Sequence, residues 1–228
     1  RGLTRRYGTG IDFSDPYAHM CAVLEHGTVN GVFGIKFSWV EFHLFLAKAR
    51  ALIGEVESQL TDMDVVDVFF PDAKIVRMIR KNKTKQAVSY AKAMQTGVWT
   101  EQVNESEAYK AYIVPPEYSR DHIEALFDNL LAYDLSWKHF LVSYQRDSLA
   151  VWYEDLASDY VNMMTRICDY LGIENNETLE PPLKRQSNRV NQQWAQRFQE
   201  ETSWLSDPDI AKALEEGDFE SVFFYRSR

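Results

Sequence analysis

The sequence predicts an α/β protein, a parallel sheet flanked by helices, because three short apolar runs alternate with stretches of helical periodicity. The runs are Gly31-Val-Phe-Gly-Ile-Lys-Phe37, Lys74 to Ile79, and Leu149-Ala-Val-Trp-Tyr153. Runs of this length, rich in Val, Ile and aromatic residues, suit buried strands. Strands separated by helices pair in parallel and bind ligands outside their carboxyl ends.

Each helix has its own signal. Ser14-Asp-Pro16 opens one, with Ser14 or Asp15 as N-cap and Pro16 in the first turn, running towards Glu25 and ended by Gly27. Helical spacing returns from Val40 to Ile53 and from Thr84 to Thr96. A long amphipathic helix spans Asp121 to Tyr144, with Ile123, Leu126, Phe127, Leu130, Leu131, Trp137, Phe140 and Leu141 facing inward. Asp155 is expected to cap a helix from Leu156 to Leu171, stopped at Gly172. Glu174 to Asn188, with Pro181 and Pro182, reads as a loop, and the C-terminal part as helical. At 228 residues and 45% hydrophobic content, with no repeat or low-complexity linker, the expected organisation is one domain over residues 1–228.

Composition narrows the function. The formal net charge of -9 argues against general nucleic-acid binding, which shows as a basic domain or stripe. A run of about 18 apolar residues, enough for a transmembrane helix, does not occur. The basic start Arg1-Gly-Leu-Thr-Arg-Arg6 is not followed by the apolar stretch of a signal peptide. Cys21 and Cys168 fit neither a disulfide framework nor a metal site, and are expected as buried free thiols in a reducing cytoplasm.

Against this acidic background stands one basic window. Between Ala73 and Thr100 lie Lys74, Arg77, Arg80, Lys81, Lys83, Lys85 and Lys92, and no Asp or Glu. The rest of the chain has 18 basic against 34 acidic residues. A cluster of opposite sign points to a small anionic ligand. Arg80 ends its strand, and on the following helix Ser89 shares a face with Lys85, Lys92 and Thr96, while Ala87, Ala91, Met94 and Val98 form a core stripe. A guanidinium fork, a hydroxyl and the free N–H groups of a helix start would together hold a phosphate. The competing reading is a solvated helix face.

These residues resemble the bacterial trehalose 2-sulfotransferase-like sulfotransferase family. Arg80, the loop Lys81 to Lys85, Gln86-Ala-Val-Ser89 and Gln95-Thr-Gly-Val-Trp99 are similar to its 3′-phosphate-binding segment. Val32-Phe-Gly-Ile-Lys36, Val151-Trp-Tyr-Glu-Asp-Leu156, and Leu183-Lys-Arg-Gln-Ser-Asn188 with Trp194 and Arg197-Phe198 resemble three further segments in the same order. The resemblance implies a P-loop-like sulfotransferase fold and the donor 3′-phosphoadenosine 5′-phosphosulfate (PAPS), with adenosine 3′,5′-bisphosphate (PAP) as product and no metal. It implies that Arg80 and Ser89 bind the 3′-phosphate, Tyr153 meets the adenine, and Lys184 and Arg185 close over the nucleotide. Lys36, at its strand end, would stabilise charge on the leaving group. Gln95 and Trp99 could face a small hydroxylated acceptor such as a sugar. Each has a plainer alternative: Tyr153 as core, Asp155 as a cap only, Lys184 and Arg185 as a solvated loop, Trp99 as core or homodimer packing.

Two departures stand out. The family's Arg-Arg-Asp is Arg80-Lys81-Asn82 in this chain, which keeps charge but loses one planar fork. The family's opening strand, Gly- and Ser/Thr-containing loop and helix, which cradle the 5′-phosphosulfate and precede the catalytic base, have no counterpart before Ser14, so the sequence resembles one lacking that N-terminal portion. His19, His26 and His43 are conceivable stand-ins for the base. The alternatives to a sulfotransferase are a P-loop nucleotide kinase relative and a non-catalytic nucleotide-binding or dimerisation fragment.

Overall fold

In the computed structural model the described residues are 15–54, 59–99, 115–174 and 189–226. The chain divides into two compact units, Arg1–Ala73 and Lys74–Arg228. Both are built of mixed α and β structure in which helix predominates.

The first unit opens with α1 (Pro16–Gly27), whose N-cap Asp15 accepts from the backbone N–H groups of Tyr17 and Ala18. The strand expected over Gly31–Phe37 is reduced to an antiparallel hairpin, β1 (Thr28–Val29) and β2 (Val32–Phe33), with Val29 opposite Val32. Asn30 and Gly31 take φ of +51° and +76°, the paired left-handed residues of a two-residue turn, and fold the chain back before a longer strand can form. Lys36 consequently lies in an irregular, exposed segment rather than in a buried strand. Next come α2 (Trp39–Ile53), started by a reciprocal Ser38–Glu41 capping box, and α3 (Asp62–Phe69), started by the same device between Thr61 and Asp64. Phe42, Phe45 and Leu46 of α2 and Met63, Val65 and Val66 of α3 are buried. Phe45 packs on Phe69 and Phe70 at 5.8 and 5.3 Å, while Arg50 ties the helices through Asp62 at 2.7 Å and the Leu60 carbonyl at 2.9 Å.

In the second unit, β3 (Ile75–Ile79) is followed by α4 (Lys83–Thr96) and α5 (Arg120–Ser143), and β4 (Ser148–Trp152) then pairs with β3 in parallel. Register aligns Ile79 with Trp152, so Arg80 and Tyr153 leave the two strands side by side at their carboxyl ends. Beyond β4 the helix is broken. Tyr153–Ser158 (α6) and Tyr160–Leu171 (α7) meet at Asp159, which caps α7, whereas Asp155, expected as the cap, sits in the first turn of α6. Gly172 ends α7 at φ +71°. α8 (Arg189–Glu201), a 3₁₀ turn Ser203–Ser206, α9 (Pro208–Glu216) and α10 (Phe219–Arg226) complete the unit.

The core of this unit forms where α4, α5 and α8 meet. Phe127 and Leu131 of α5 and Phe198 of α8 are wholly buried, each contributing about 1.5–3 kcal/mol of apolar burial. On α5, Leu135 replaces the expected Leu130, Trp137 and Phe140, which are half-buried. The stripe on α4 also differs: Ala87 and Ala91 are buried, but Met94 is 51% exposed and the inward face is completed by Lys83, Thr84 and Val88. The thiols are unpaired, with Cys21 exposed and Cys168 half-buried rather than buried.

Candidate functional site at the carboxyl ends of the parallel strands

Arg80 and Tyr153 come together. The Arg80 guanidinium lies 4.7 Å from the centre of the Tyr153 ring, a cation–π arrangement that holds a planar fork at the mouth of the strand pair. Lys81 lies beside it, its ammonium 5.1 Å from the Trp152 ring centre. The two segments are also joined through the backbone: Lys81 and Asn82 donate their N–H groups to the Glu154 carboxylate at 3.0 and 3.1 Å. Burial pushes the Glu154 carboxyl up, but those backbone hydrogen bonds and the Arg80 charge outweigh it and hold the group below its ordinary value.

This clamp narrows the expectation of free N–H groups at the helix start. Besides those bound by Glu154, the N–H of Lys85 goes to the Asn82 side chain at 2.9 Å and that of Lys83 to the Lys81 carbonyl at 2.8 Å. Anion recognition at this mouth therefore falls mainly to side chains.

The basic window is not one surface. Lys83, a member of the cluster by sequence, is 1% exposed. Its ammonium pairs with Asp134 of α5, donates to Gln86 Oε1 at 3.1 Å and lies 4.4 Å from the Phe219 ring centre. Burial pushes the Lys83 pKa down and that of Asp134 up, with their mutual attraction opposing both shifts. Arg77, half-buried, feels the same Asp134 charge. Lys74 reaches instead towards the Tyr170 ring at 5.8 Å.

Ser89 is half-buried on α4, with Lys85 exposed and Lys92 half-buried. Gln95 spends both ends of its amide on the backbone of Glu117, donating to its carbonyl at 3.0 Å and accepting from its N–H at 2.7 Å. Trp99 is 58% exposed and tilts against Tyr90 at 5.6 Å. Lys184 and Arg185 lie outside the described residues. Further along, Trp194 and Phe198 are core residues, and Arg197 stacks on Tyr118 at 4.0 Å while bonding Glu201 at 2.7 Å. Tyr118 itself donates to Glu201, and its pKa is pushed up to about 12 by burial and by that carboxylate. In the first unit His43 meets the Trp39 ring edge-on at 4.6 Å, and His26 is exposed. Among the described residues no helix is long and apolar enough to cross a membrane, and no cluster of His, Cys, Asp or Glu could hold a metal.

Comparison with known proteins converges on one family. The chain is 25% identical over 171 residues to a trehalose 2-sulfotransferase of Mycolicibacterium smegmatis, covering 75% of this chain and 62% of that protein. It is 25% identical over 181 residues to a trehalose 2-sulfotransferase of Mycobacterium tuberculosis, covering 79% of this chain and 66% of the relative. The chain thus spans less than two thirds of the length of either relative. Residues 9–201 match the family described as Stf0 sulphotransferase, a stretch that contains β3, α4, β4 and the Arg80–Tyr153 contact. The chain belongs to the Stf0 sulphotransferase family.

Proposed function

We propose that residues 1–228 form one P-loop-like sulfotransferase domain that moves a sulfuryl group from PAPS to a hydroxyl of a carbohydrate or other small metabolite. The observation that carries this reading is the Arg80–Tyr153 stack at the carboxyl ends of β3 and β4, in a chain of a sulfotransferase family. The Arg80 fork and the Ser89 hydroxyl hold the 3′-phosphate, Tyr153 flanks the adenine, and Lys184 with Arg185 close over the nucleotide. Lys36 neutralises charge on the departing oxygen. Trp99 offers an exposed ring to a sugar. Gln95 acts on the acceptor side by fixing residue 117, since its amide is already paired.

In the reaction the acceptor oxygen bonds to sulfur as the bond from sulfur to the bridging phosphate oxygen breaks. A base takes the hydroxyl proton, and PAP leaves. Trehalose, named in both relatives, is the first acceptor to try. Two unpaired thiols suit a cytoplasmic setting.

Calorimetric titration with PAP and with ADP tests the reading. PAP should bind more tightly, and Arg80→Ala should weaken it by about 10- to 100-fold, the worth of a charge-assisted hydrogen bond. Ser89→Ala should weaken it less. Equal affinity for ADP, or normal binding by both variants, would overturn the 3′-phosphate assignment.

A further inference from the structure

The loop between β3 and α4 already holds an anion of the protein's own. Glu154 reaches across from the start of α6 and takes the N–H groups of Lys81 and Asn82 at 3.0 and 3.1 Å, residues more than seventy positions away in sequence. The residue before each end of this clamp belongs to the proposed nucleotide site: Arg80 precedes Lys81, and Tyr153 precedes Glu154. The clamp and the Arg80–Tyr153 stack therefore join adjacent residues of the same two segments. Lys83, fixed in the core by Asp134, pins the far end of the loop.

We propose that Glu154 is a positioning residue: by filling two backbone donors of the loop it leaves a bound 3′-phosphate to the Arg80 and Ser89 side chains and holds Arg80 where it can discriminate. The proposal rests on the nucleotide site argued above. It assigns Glu154 no contact with the ligand. With an amide in place of the carboxylate one of the two N–H groups loses its acceptor, and Arg80 loses the frame that fixes its direction.

The test compares the full chain with Glu154→Gln, titrating PAP and adenosine 5′-phosphate, which differ only in the 3′-phosphate. The ratio of the two affinities should fall at least about tenfold in the variant, as expected for one misdirected charge-assisted contact, while adenosine 5′-phosphate binds as before. Amide hydrogen exchange should accelerate at Lys81 or Asn82, whichever loses its acceptor, without a general loss of protection. Glu154→Asp, which keeps the charge but is one methylene short, takes the place of the Gln variant should that fail to fold, with the same readings expected. An unchanged affinity ratio, or unchanged exchange at both amides, overturns the proposal while leaving the nucleotide site standing. A wild-type chain that does not distinguish the two nucleotides removes the site, and Glu154's role with it.

Discussion

Residues 74–83 and residues 28–37 each join an apolar run to basic side chains, yet the first ends in a packed strand mouth and the second turns back after two residues. β3 has a parallel partner in β4, delivered by the whole length of α4 and α5, and its register sets Arg80 beside Tyr153. Among the described residues the run from Gly31 pairs with its immediate neighbour through the Asn30–Gly31 turn, and Lys36 is left exposed. The role open to a basic residue is thus set by what its strand pairs with. The same contrast recurs within the basic window, where Lys83 is enclosed by Asp134, Gln86 and Phe219 while Lys85, two residues on, is exposed.

The largest effect should come from the enclosed charge. Asp134→Ala leaves Lys83 buried beside an apolar gap and should cost about 3–5 kcal/mol in denaturant unfolding, whereas a joint Lys83→Met and Asp134→Leu replacement should recover most of it. Little loss in the single variant would erase the distinction between Lys83 and its exposed neighbours. Next is Gly217→Ala. Gly217 has φ +75°, and a Cβ there would come within 2.5 Å of the Trp152 ring. Overpacking and backbone strain should cost about 1–3 kcal/mol, and tryptophan fluorescence should shift as Trp152 moves at the strand mouth.

A smaller, pH-dependent effect belongs to Glu154. Its folded pKa is depressed from the ordinary 4.5, so its contribution is fully present above that value and disappears as pH falls through the lower folded value. Stability measured in urea should therefore decline less steeply on the acid side of pH 4.5 in Glu154→Gln than in wild type. An identical acid slope in both chains would contradict the ionised clamp. Least affected should be Lys36→Ala, within about 0.5 kcal/mol of wild type as for other exposed positions. A larger loss of stability would mean that Lys36 is held as firmly as Arg80.

What the sequence made legible follows the strength of its periodicity. α1, α2, α4 and α5 fell within a residue or so of expectation because each carries a cap, and α2, α4 and α5 a buried face as well. The short strand was lost to a local turn whose Asn-Gly signal was present but outweighed by the apolar run. Arg80 and Tyr153 were readable as strand-end residues, but their contact depends on a register between segments seventy residues apart. Lys83 counts by sequence with the anion-seeking basic cluster, but Lys83, Ala87 and Ala91 fall at i, i+4 and i+8, one continuous buried stripe. Asp134, beside Leu131 and Leu135 on the apolar side of α5, was the matching signal. Glu154 stands in the Tyr-Glu-Asp-Leu segment, but its role was not readable there, because its partners are backbone N–H groups and any residue but proline supplies those.

The most direct test of the central claim is hydrogen–deuterium exchange across the whole chain with and without PAP. The account predicts slowed exchange at residues 80–90 and around 152–154, where the strand ends and the first turns of α4 meet the nucleotide. Binding that protects other segments and leaves both of these unchanged would contradict it.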